Sequence, residues 1–344
     1  MKILECTIRD GGYAIDFQWG AEEIEGIVRA LAGAGFQDIE IGHGLGLGAS
    51  RQAMPSLCSD AEMTTVAAAV KGPAKIGAFF IPGIGTSDDL RQFRDLGGDF
   101  IRIGTDVSQS ETAWPFAELA GKLGFDVRYN FMKTYVAKPF EILRRAAALV
   151  DHGATTISIV DSAGGMLPDQ VGAYVEVLRE GLTADVGFHG HNNLLLANAN
   201  SLVAVQRGAT TIDTTLLGMG RGGGNAQTET MLVVLDRAGY PTGINPLDVA
   251  KIAERYVSAK PTRLKGANEL ELIYGFALFH SGFTKRVQDV AAAFGVPYQD
   301  LILEVSRYAR ENPTTELIEE AASQLRQEGR VAIHYPKFVH RAWN

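Results

Sequence analysis

Three polar side chains from distant parts of the chain are of the types that bind a divalent metal ion. Asp10 follows the first apolar run, and His189 and His191 stand one residue apart at the end of another. Side chains two positions apart on a strand point the same way, so both imidazoles can reach one ion. This donor set suits Mn²⁺, Fe²⁺, Co²⁺ or Zn²⁺, and Mg²⁺ less well. The residues predict a metal site; the alternative is a pair of hydrogen-bonded or capping histidines.

Arg9 directly precedes Asp10 and brings a permanent positive charge to the same place. Its planar guanidinium matches a carboxylate or an enolate oxygen. A metal that polarises a carbonyl, beside a guanidinium, suits chemistry that passes through an enolate. The structural alternative is an ion pair with an acidic residue such as Glu40 or Asp161, and both roles can hold at once.

Three further residues are candidates for binding a substrate. His43 follows an apolar run in Ile-Gly-His-Gly and could contact substrate or form an ordinary hydrogen bond at the rim. Lys133 ends another run, where it could bind a carboxylate, form a salt bridge or, as in some aldolases, a Schiff base. Asn225 ends a glycine-rich segment, 218–224, whose position favours anion binding or shaping of the site over a dinucleotide loop.

The elements that must position these residues follow from apolar runs that alternate with amphipathic stretches. The predicted strands cover residues 2–9, 38–42, 75–81, 100–105, 126–132, 156–160, 185–189 and 211–216. Strands that alternate with helices predict a parallel sheet, and eight such units in about 240 residues predict a closed (β/α)₈ TIM barrel. The carboxyl ends of its strands meet at one rim, which would bring Asp10, His189 and His191 together. An open doubly wound sheet is the alternative.

The alternation of strands and helices stops after Gly239, and the remaining pattern is helical. We predict helices at 247–258, 269–279, 284–294, 299–310 and 316–328, and therefore two domains: a barrel over residues 1–240 and a helical C-terminal domain over residues 241–344. Apolar helical surface beyond what one barrel needs predicts that the second domain forms an interface.

Composition narrows the possible functions. The 344 residues carry a net charge of −8, which argues against nucleic-acid binding, and no apolar stretch reaches the length of a membrane span. The two cysteines, Cys6 and Cys58, fit a reducing cytoplasm better than a disulfide scaffold. We read Cys6 as a core residue in the middle of the first strand.

The motifs around these residues resemble those of the 4-hydroxy-2-oxovalerate aldolases, within the HMG-CoA-lyase-like metal-dependent barrels. The resemblance rests on Thr-Ile-Arg-Asp-Gly at 7–11, Ile-Gly-His-Gly-Leu-Gly-Leu-Gly at 41–48, Pro-Gly-Ile-Gly at 82–85, Asp-Ser-Ala-Gly-Gly at 161–165, His-Gly-His-Asn-Asn at 189–193 and Gly-Met-Gly-Arg-Gly-Gly-Gly-Asn-Ala at 218–226. It implies a divalent metal, usually Mn²⁺, on Asp10, His189 and His191, and an Arg9 that stabilises a pyruvate enolate. It also implies a helical C-terminal domain that docks onto an acylating aldehyde dehydrogenase.

One position departs from that family. Where the aldolases carry a histidine that acts as the base on the substrate hydroxyl, this chain has Tyr13, and where they carry a tyrosine, an ungapped alignment places His280. The two residue types look exchanged. Lys133 and Tyr135 have no counterparts that we recognise.

The sequence thus predicts a metal-dependent aldolase or lyase that acts next to a 2-oxo acid. Arg9, Tyr13 and His280 are the predicted catalytic residues, and Arg9, His43, Lys133 and Asn225 the predicted substrate contacts. The alternatives are Claisen-type condensation of an acyl-CoA on the same barrel, a non-haem iron oxygenase, and a catalytically silent barrel that binds a partner. CoA-using relatives usually carry a Gln soon after Arg-Asp-Gly, where this chain has Gly12 and Tyr13. This difference favours the aldolase.

Overall fold

Eight parallel strands form a closed barrel in sequence order, as predicted. The computed structural model describes residues 1–51, 54–260 and 268–327. The barrel strands are β1 Lys2–Glu5, β2 Asp38–Ile41, β3 Lys75–Phe80, β4 Phe100–Asp106, β5 Asp126–Met132, β6 Thr156–Asp161, β7 Asp185–Gly190 and β8 Thr211–Thr214. β1 closes the barrel because Leu4 pairs with Asp38 on one side and with Asp213 on the other.

Helices cover the outside of the barrel and bury their apolar faces against the strands. They are α1 Ala21–Gly33, α2 Asp60–Val70, α3 Ser87–Asp95, α4 Trp114–Lys122, α5 Pro139–Asp151, α6 Pro168–Gly181, α7 Ala197–Gln206, α8 Thr228–Arg237 and α9 Pro246–Tyr256. On α1, for example, Ile24, Ile27, Val28 and Leu31 recur at helical spacing and are all fully buried. None of the described helices is both long and apolar enough to cross a membrane.

The first strand is shorter than predicted. It ends at Glu5 instead of Arg9, because the backbone N–H groups of Asp10 and Gly11 both turn back to the carbonyl of Cys6. Cys6 is buried, as expected, but it follows the strand and does not lie in its middle. This early turn places Arg9 and Asp10 at the rim.

The chain has a second apolar core beyond the barrel. Four helices, α10 Glu269–Ala277, α11 Thr284–Phe294, α12 Tyr298–Val305 and α13 Thr315–Gln327, pack around buried side chains that include Phe279, Leu301 and Ile318. Helix α9 belongs to the barrel core instead, through Val249 and Ala253. The division at residue 240 stays a prediction, and the part of the predicted C-terminal domain after Gln327 lies outside the described residues.

Contacts at the rim of the barrel join the two cores. The carbonyl of Glu311 accepts a hydrogen bond of 2.5 Å from Lys133 Nζ, and its carboxylate accepts one of 2.8 Å from the backbone N–H of Ser108. Ser281 Oγ accepts a hydrogen bond of 2.5 Å from Arg221 Nη1. The segments that connect the C-terminal helices therefore contact the end of the barrel where the predicted site residues lie.

Candidate active site

The three predicted metal ligands meet at the carboxyl-terminal rim. Each of Asp10, His189 and His191 offers a ligand atom, these atoms all lie within 4.8 Å of one another, and all three residues are buried. Asp10 follows β1, while His189 and His191 lie at the end of β7 and just beyond it. The alternation of side chains along β7 and the closure of the barrel bring them together.

Asp213 orients His189. Nδ1 of His189 lies 2.9 Å from Oδ2 of Asp213, and Nε2 lies 3.1 Å from Oδ2 of Asp10. Burial alone would lower the pKa of His189, but hydrogen bonds to the two carboxylates raise it above its usual value. A carboxylate behind a histidine orients a metal ligand: Asp213 holds the hydrogen on Nδ1, and a bound ion would replace the Nε2 hydrogen that now faces Asp10.

A backbone carbonyl orients His191. Its Nδ1 lies 3.2 Å from the carbonyl oxygen of Gly224, which can only accept, so Nδ1 carries the hydrogen and Nε2 presents a lone pair. Arg221 Nη2 donates to this Nε2 at 3.1 Å. Burial, and then the charge of Arg221, hold the pKa of His191 well below its usual value, so this ring is neutral.

Asp10 completes a donor set that fits a divalent cation. Oδ2 accepts a hydrogen bond of 3.0 Å from Arg9 Nη1, whereas the buried Oδ1 has no hydrogen-bond partner among the described residues. Burial would raise the pKa of Asp10, but the charge of Arg9 and a hydrogen bond from His189 hold it well below its usual range. A buried, ionised carboxylate with a free oxygen, beside two imidazole nitrogens, suits a transition-metal ion.

A chain of buried charges supports these groups from inside the barrel. Arg9 Nε donates to Glu40 at 2.8 Å, which is one of the two ion pairs the sequence suggested. Arg102, on β4, donates to the same carboxylate oxygen at 2.9 Å and also to Asp213. Arg102 therefore bridges the partner of Arg9 and the partner of His189.

Sequence reasoning missed Arg102 and Asp213. The available signal was a charged residue in the middle of an apolar run, in Phe-Ile-Arg-Ile at 100–103 and Thr-Ile-Asp-Thr at 211–214. Such a charge is costly to bury unless it is paired. Asp161, the other partner suggested for Arg9, instead accepts backbone hydrogen bonds from Gly165 and Met166, and burial raises its pKa to about 6.

A cavity of about 160 Å³ opens beside the three candidate metal ligands. Its wall includes Tyr13, Lys133, Arg221 and His280 as well as Arg9 and the three candidate ligands. The cavity has room for a small molecule only, since a single water already needs roughly 10–15 Å³. The two residues that look exchanged relative to the aldolases, Tyr13 and His280, thus face the same space.

Neither Tyr13 nor His280 is a ready base in this arrangement. Burial raises the pKa of Tyr13 to about 12. His280 Nδ1 accepts a hydrogen bond of 3.0 Å from the N–H of Gly282, so the neutral ring directs N–H, not a lone pair, from Nε2. Burial and the charges of Arg221 and Lys133 hold the pKa of His280 well below its usual value.

The other predicted contacts divide into one residue on the wall and two behind it. Lys133 lines the cavity, but its Nζ is paired with Asp106 at 2.8 Å. His43 is not among the lining residues; it is buried and stacked on Phe17, with 3.6 Å between ring centroids. Asn225 is also buried behind the wall, where its Nδ2 donates to the carbonyl of Met219 at 3.2 Å.

The closed (β/α)₈ barrel has a carboxylate, two imidazoles and a guanidinium around a small cavity at its carboxyl-terminal rim. This is the architecture of a barrel enzyme. Residues 1–255 match the HMGL-like family model, and the chain belongs to that family. The predicted family resemblance is confirmed.

Named relatives agree with this assignment over almost the whole chain. The chain is 36% identical to the 4-hydroxy-2-oxovalerate aldolase of Moorella thermoacetica, over 95% of this chain and 97% of that protein. It is 38% identical to the enzyme of the same name from Geobacillus genomosp. 3, over 89% and 91%. The carboxyl transferase domain of Rhizobium etli pyruvate carboxylase shares the fold, with a TM-score of 0.77 and 15% identity over 95% of this chain and 60% of that one.

Proposed function

We propose that this protein is a divalent-metal-dependent aldolase that cleaves or forms the C–C bond next to a 2-oxo acid of the pyruvate type. The observation that carries the proposal is the meeting of Asp10, His189 and His191 beside Arg9 at the wall of one small cavity. Relatives named 4-hydroxy-2-oxovalerate aldolase support a 4-hydroxy-2-oxo acid as the substrate class.

Asp10, His189 and His191 would hold the metal. A divalent ion bound there supplies Lewis-acid polarisation of a 2-oxo group. We propose Mn²⁺ because the family resemblance implies it; two nitrogen donors and one carboxylate can also bind Co²⁺, Zn²⁺ or Mg²⁺. Two observations support this ligand set: Oδ1 of Asp10 has no partner in the part of the chain that the structure describes, and the tautomer of His191 leaves a lone pair on Nε2.

Arg9 would stabilise negative charge as it develops on the substrate oxygen. Glu40 and Asp10 take hydrogen bonds from Nε and Nη1, which fixes the guanidinium plane and leaves N–H groups for an enolate oxygen. A donor held in advance costs no reorganisation during the reaction, so this placement favours catalysis.

Tyr13 and His280 would transfer the proton of the substrate hydroxyl. Both line the cavity, and a neutral His280 can donate its Nε2 hydrogen to an oxygen or, after the ring releases Gly282, take a proton. Lys133 would contact the substrate from the same wall. For His43 and Asn225, a supporting role behind the wall fits their contacts better than direct substrate contact.

We further propose a cytoplasmic protein that associates through its C-terminal helices, either with itself or with an acylating aldehyde dehydrogenase that consumes the aldehyde product. Two buried free cysteines support the cytoplasmic location, and the exposed apolar side chain of Leu272 on α10 supports the association.

Metal analysis followed by a pyruvate-release assay over a panel of 4-hydroxy-2-oxo acids tests the proposal. We expect one divalent ion per chain and release of pyruvate that stops after chelation and returns with Mn²⁺. Condensation of an acyl-CoA with a 2-oxo acid would favour the Claisen alternative. Full metal occupancy with neither activity would favour a silent barrel.

A further inference from the structure

Arg221 differs in its pairing from the other positive side chains on the cavity wall. Arg9 is paired with two carboxylates, and Lys133 is paired with Asp106. In the residues that the structure describes, no carboxylate forms an ion pair with Arg221, which is half-buried and lines the cavity.

Among the residues that the structure describes, the groups that Arg221 contacts are all neutral. Nη1 donates to Ser281 Oγ at 2.5 Å, and Nη2 lies 3.2 Å from the carbonyl oxygen of Ser162 and 3.1 Å from Nε2 of His191. The guanidinium carbon lies 6.0 Å from the centre of the Tyr13 ring. These contacts hold the guanidinium in place, but none of them neutralises its charge.

The glycine-rich loop fixes where Arg221 stands. Gly222 and Gly224 have φ of +59° and +87°, and a Cβ on Gly224 would lie 2.2 Å from the carbonyl oxygen of Gly218. The same loop is bridged to the metal-ligand strand by the pairing of His191 with Asn225. A loop this tightly folded presents Arg221 at a defined distance from the candidate metal ligands.

A half-buried guanidinium without a counterion is stabilised by an anion from solution. Its planar fork accepts a carboxylate through two parallel hydrogen bonds, which a lysine cannot reproduce. We propose that Arg221 binds a carboxylate of the substrate. This inference rests on the proposed aldolase function, and it assigns to Arg221 the permanent charge of the substrate, while Arg9 faces the charge that develops during the reaction.

Two consequences separate this role from a structural one. A carboxylate is charged in both the ground state and the transition state, so loss of its partner raises KM and leaves kcat nearly unchanged. Arg221 donates to the same His191 nitrogen that the proposed metal site uses, so its removal takes no donor from that site. Metal affinity should therefore not fall.

The carboxylate has two possible sources. One is the C1 carboxylate that every 2-oxo acid carries, and the other is a second carboxylate on the aldehyde half of the substrate. Substrates with a neutral or an anionic group on the aldehyde half distinguish them, together with direct binding of pyruvate.

The test compares Arg221→Gln and Arg221→Lys with the unaltered protein, all loaded with Mn²⁺. Arg207→Gln is the matched control, because Arg207 forms an exposed pair with Glu176 on the outside of the barrel. KM is measured for both kinds of substrate, the Kd of pyruvate by calorimetry, and bound metal by elemental analysis.

For Arg221→Gln we expect KM to rise about 10-fold or more, the scale of one lost charge-assisted hydrogen bond, with kcat and metal content retained; Arg221→Lys should be intermediate. A parallel rise in the Kd of pyruvate assigns the C1 carboxylate, and a rise in KM only for the anionic aldehyde half assigns the distal one.

Unchanged KM and Kd, or a joint loss of kcat and metal, would overturn the inference. If the unaltered protein releases no pyruvate, the proposed function itself fails, whereas the calorimetry still reports on carboxylate binding.

Discussion

The arginines on the inner and outer sides of the cavity have different partners. On the inner side Arg9 and Arg102 are buried and paired with Glu40, Asp10 and Asp213. On the outer side, where C-terminal helices meet the rim, Arg221 is half-buried and contacts only neutral groups among the described residues. The ion pairs on the inner side keep the site residues in place, whereas an arginine without an ion-pair partner is suited to binding an anionic ligand.

Removing the metal ligands should have the largest effect. In the double variant His189→Ala/His191→Ala two of the three donors are lost, so we expect bound metal to fall from about one ion per chain to near zero and aldolase activity to disappear. Elemental analysis after dialysis measures the metal, and circular dichroism checks the fold. Full metal occupancy in the double variant would refute the assignment of the site.

Breaking the inner network at Arg102 should destabilise the protein. Arg102→Met leaves Glu40 and Asp213 as buried carboxylates without this partner, which costs about 3–5 kcal/mol of unfolding free energy. Arg207→Met, which breaks an exposed ion pair, should cost less than about 1 kcal/mol. Denaturant titration measures both. Equal stability of the two variants would mean that the inner charges are not structural.

Changing Arg9 to lysine tests catalysis on the inner wall. Arg9→Lys keeps the positive charge but loses the planar fork that holds Glu40 and Asp10 together. We expect kcat to fall about 10²- to 10³-fold, the scale of one preorganised donor, with metal retained. An unchanged kcat would remove Arg9 from the proposed chemistry.

Substitution of the proposed proton-transfer residues on the outer wall should have the smallest effect on kcat. Comparing the two variants shows which residue transfers the proton. His280→Ala should lower kcat by about 10²-fold if His280 transfers the hydroxyl proton, the low end for a general acid or base. Tyr13→Phe is the matched variant because it removes only a hydroxyl. A silent His280→Ala beside an inactive Tyr13→Phe would assign the proton transfer to Tyr13 or to a water.

The sequence predicted the barrel and the meeting of its distant residues because both follow from a simple repeat. Eight apolar runs define eight strands, and any residue that ends a strand lies at the same rim. His280 was placed by resemblance alone, since no periodicity connects residue 280 with residue 13.

Details that depend on side-chain contacts were beyond sequence reasoning. The pattern located His43 at the rim but not its stacking on Phe17, which keeps it behind the wall. It predicted the site of Arg9 but not that of Arg102. The partners of Arg102 lie across the barrel, and they depend on which side chains of different strands reach the same height inside it. The early end of β1 depended on a turn closed by the carbonyl of Cys6.

The contacts of Ser281 and Glu311 with the barrel rim bear on how this protein can be altered or recombined. The candidate metal ligands all lie in the first two thirds of the chain. His280 comes from the last third, as do Ser281 and Glu311, which contact Arg221 and Lys133. We expect a chimera with the C-terminal segment of a relative to take the proposed metal site from one parent and part of the proposed substrate-binding wall from the other. The two proposed sites would then vary independently.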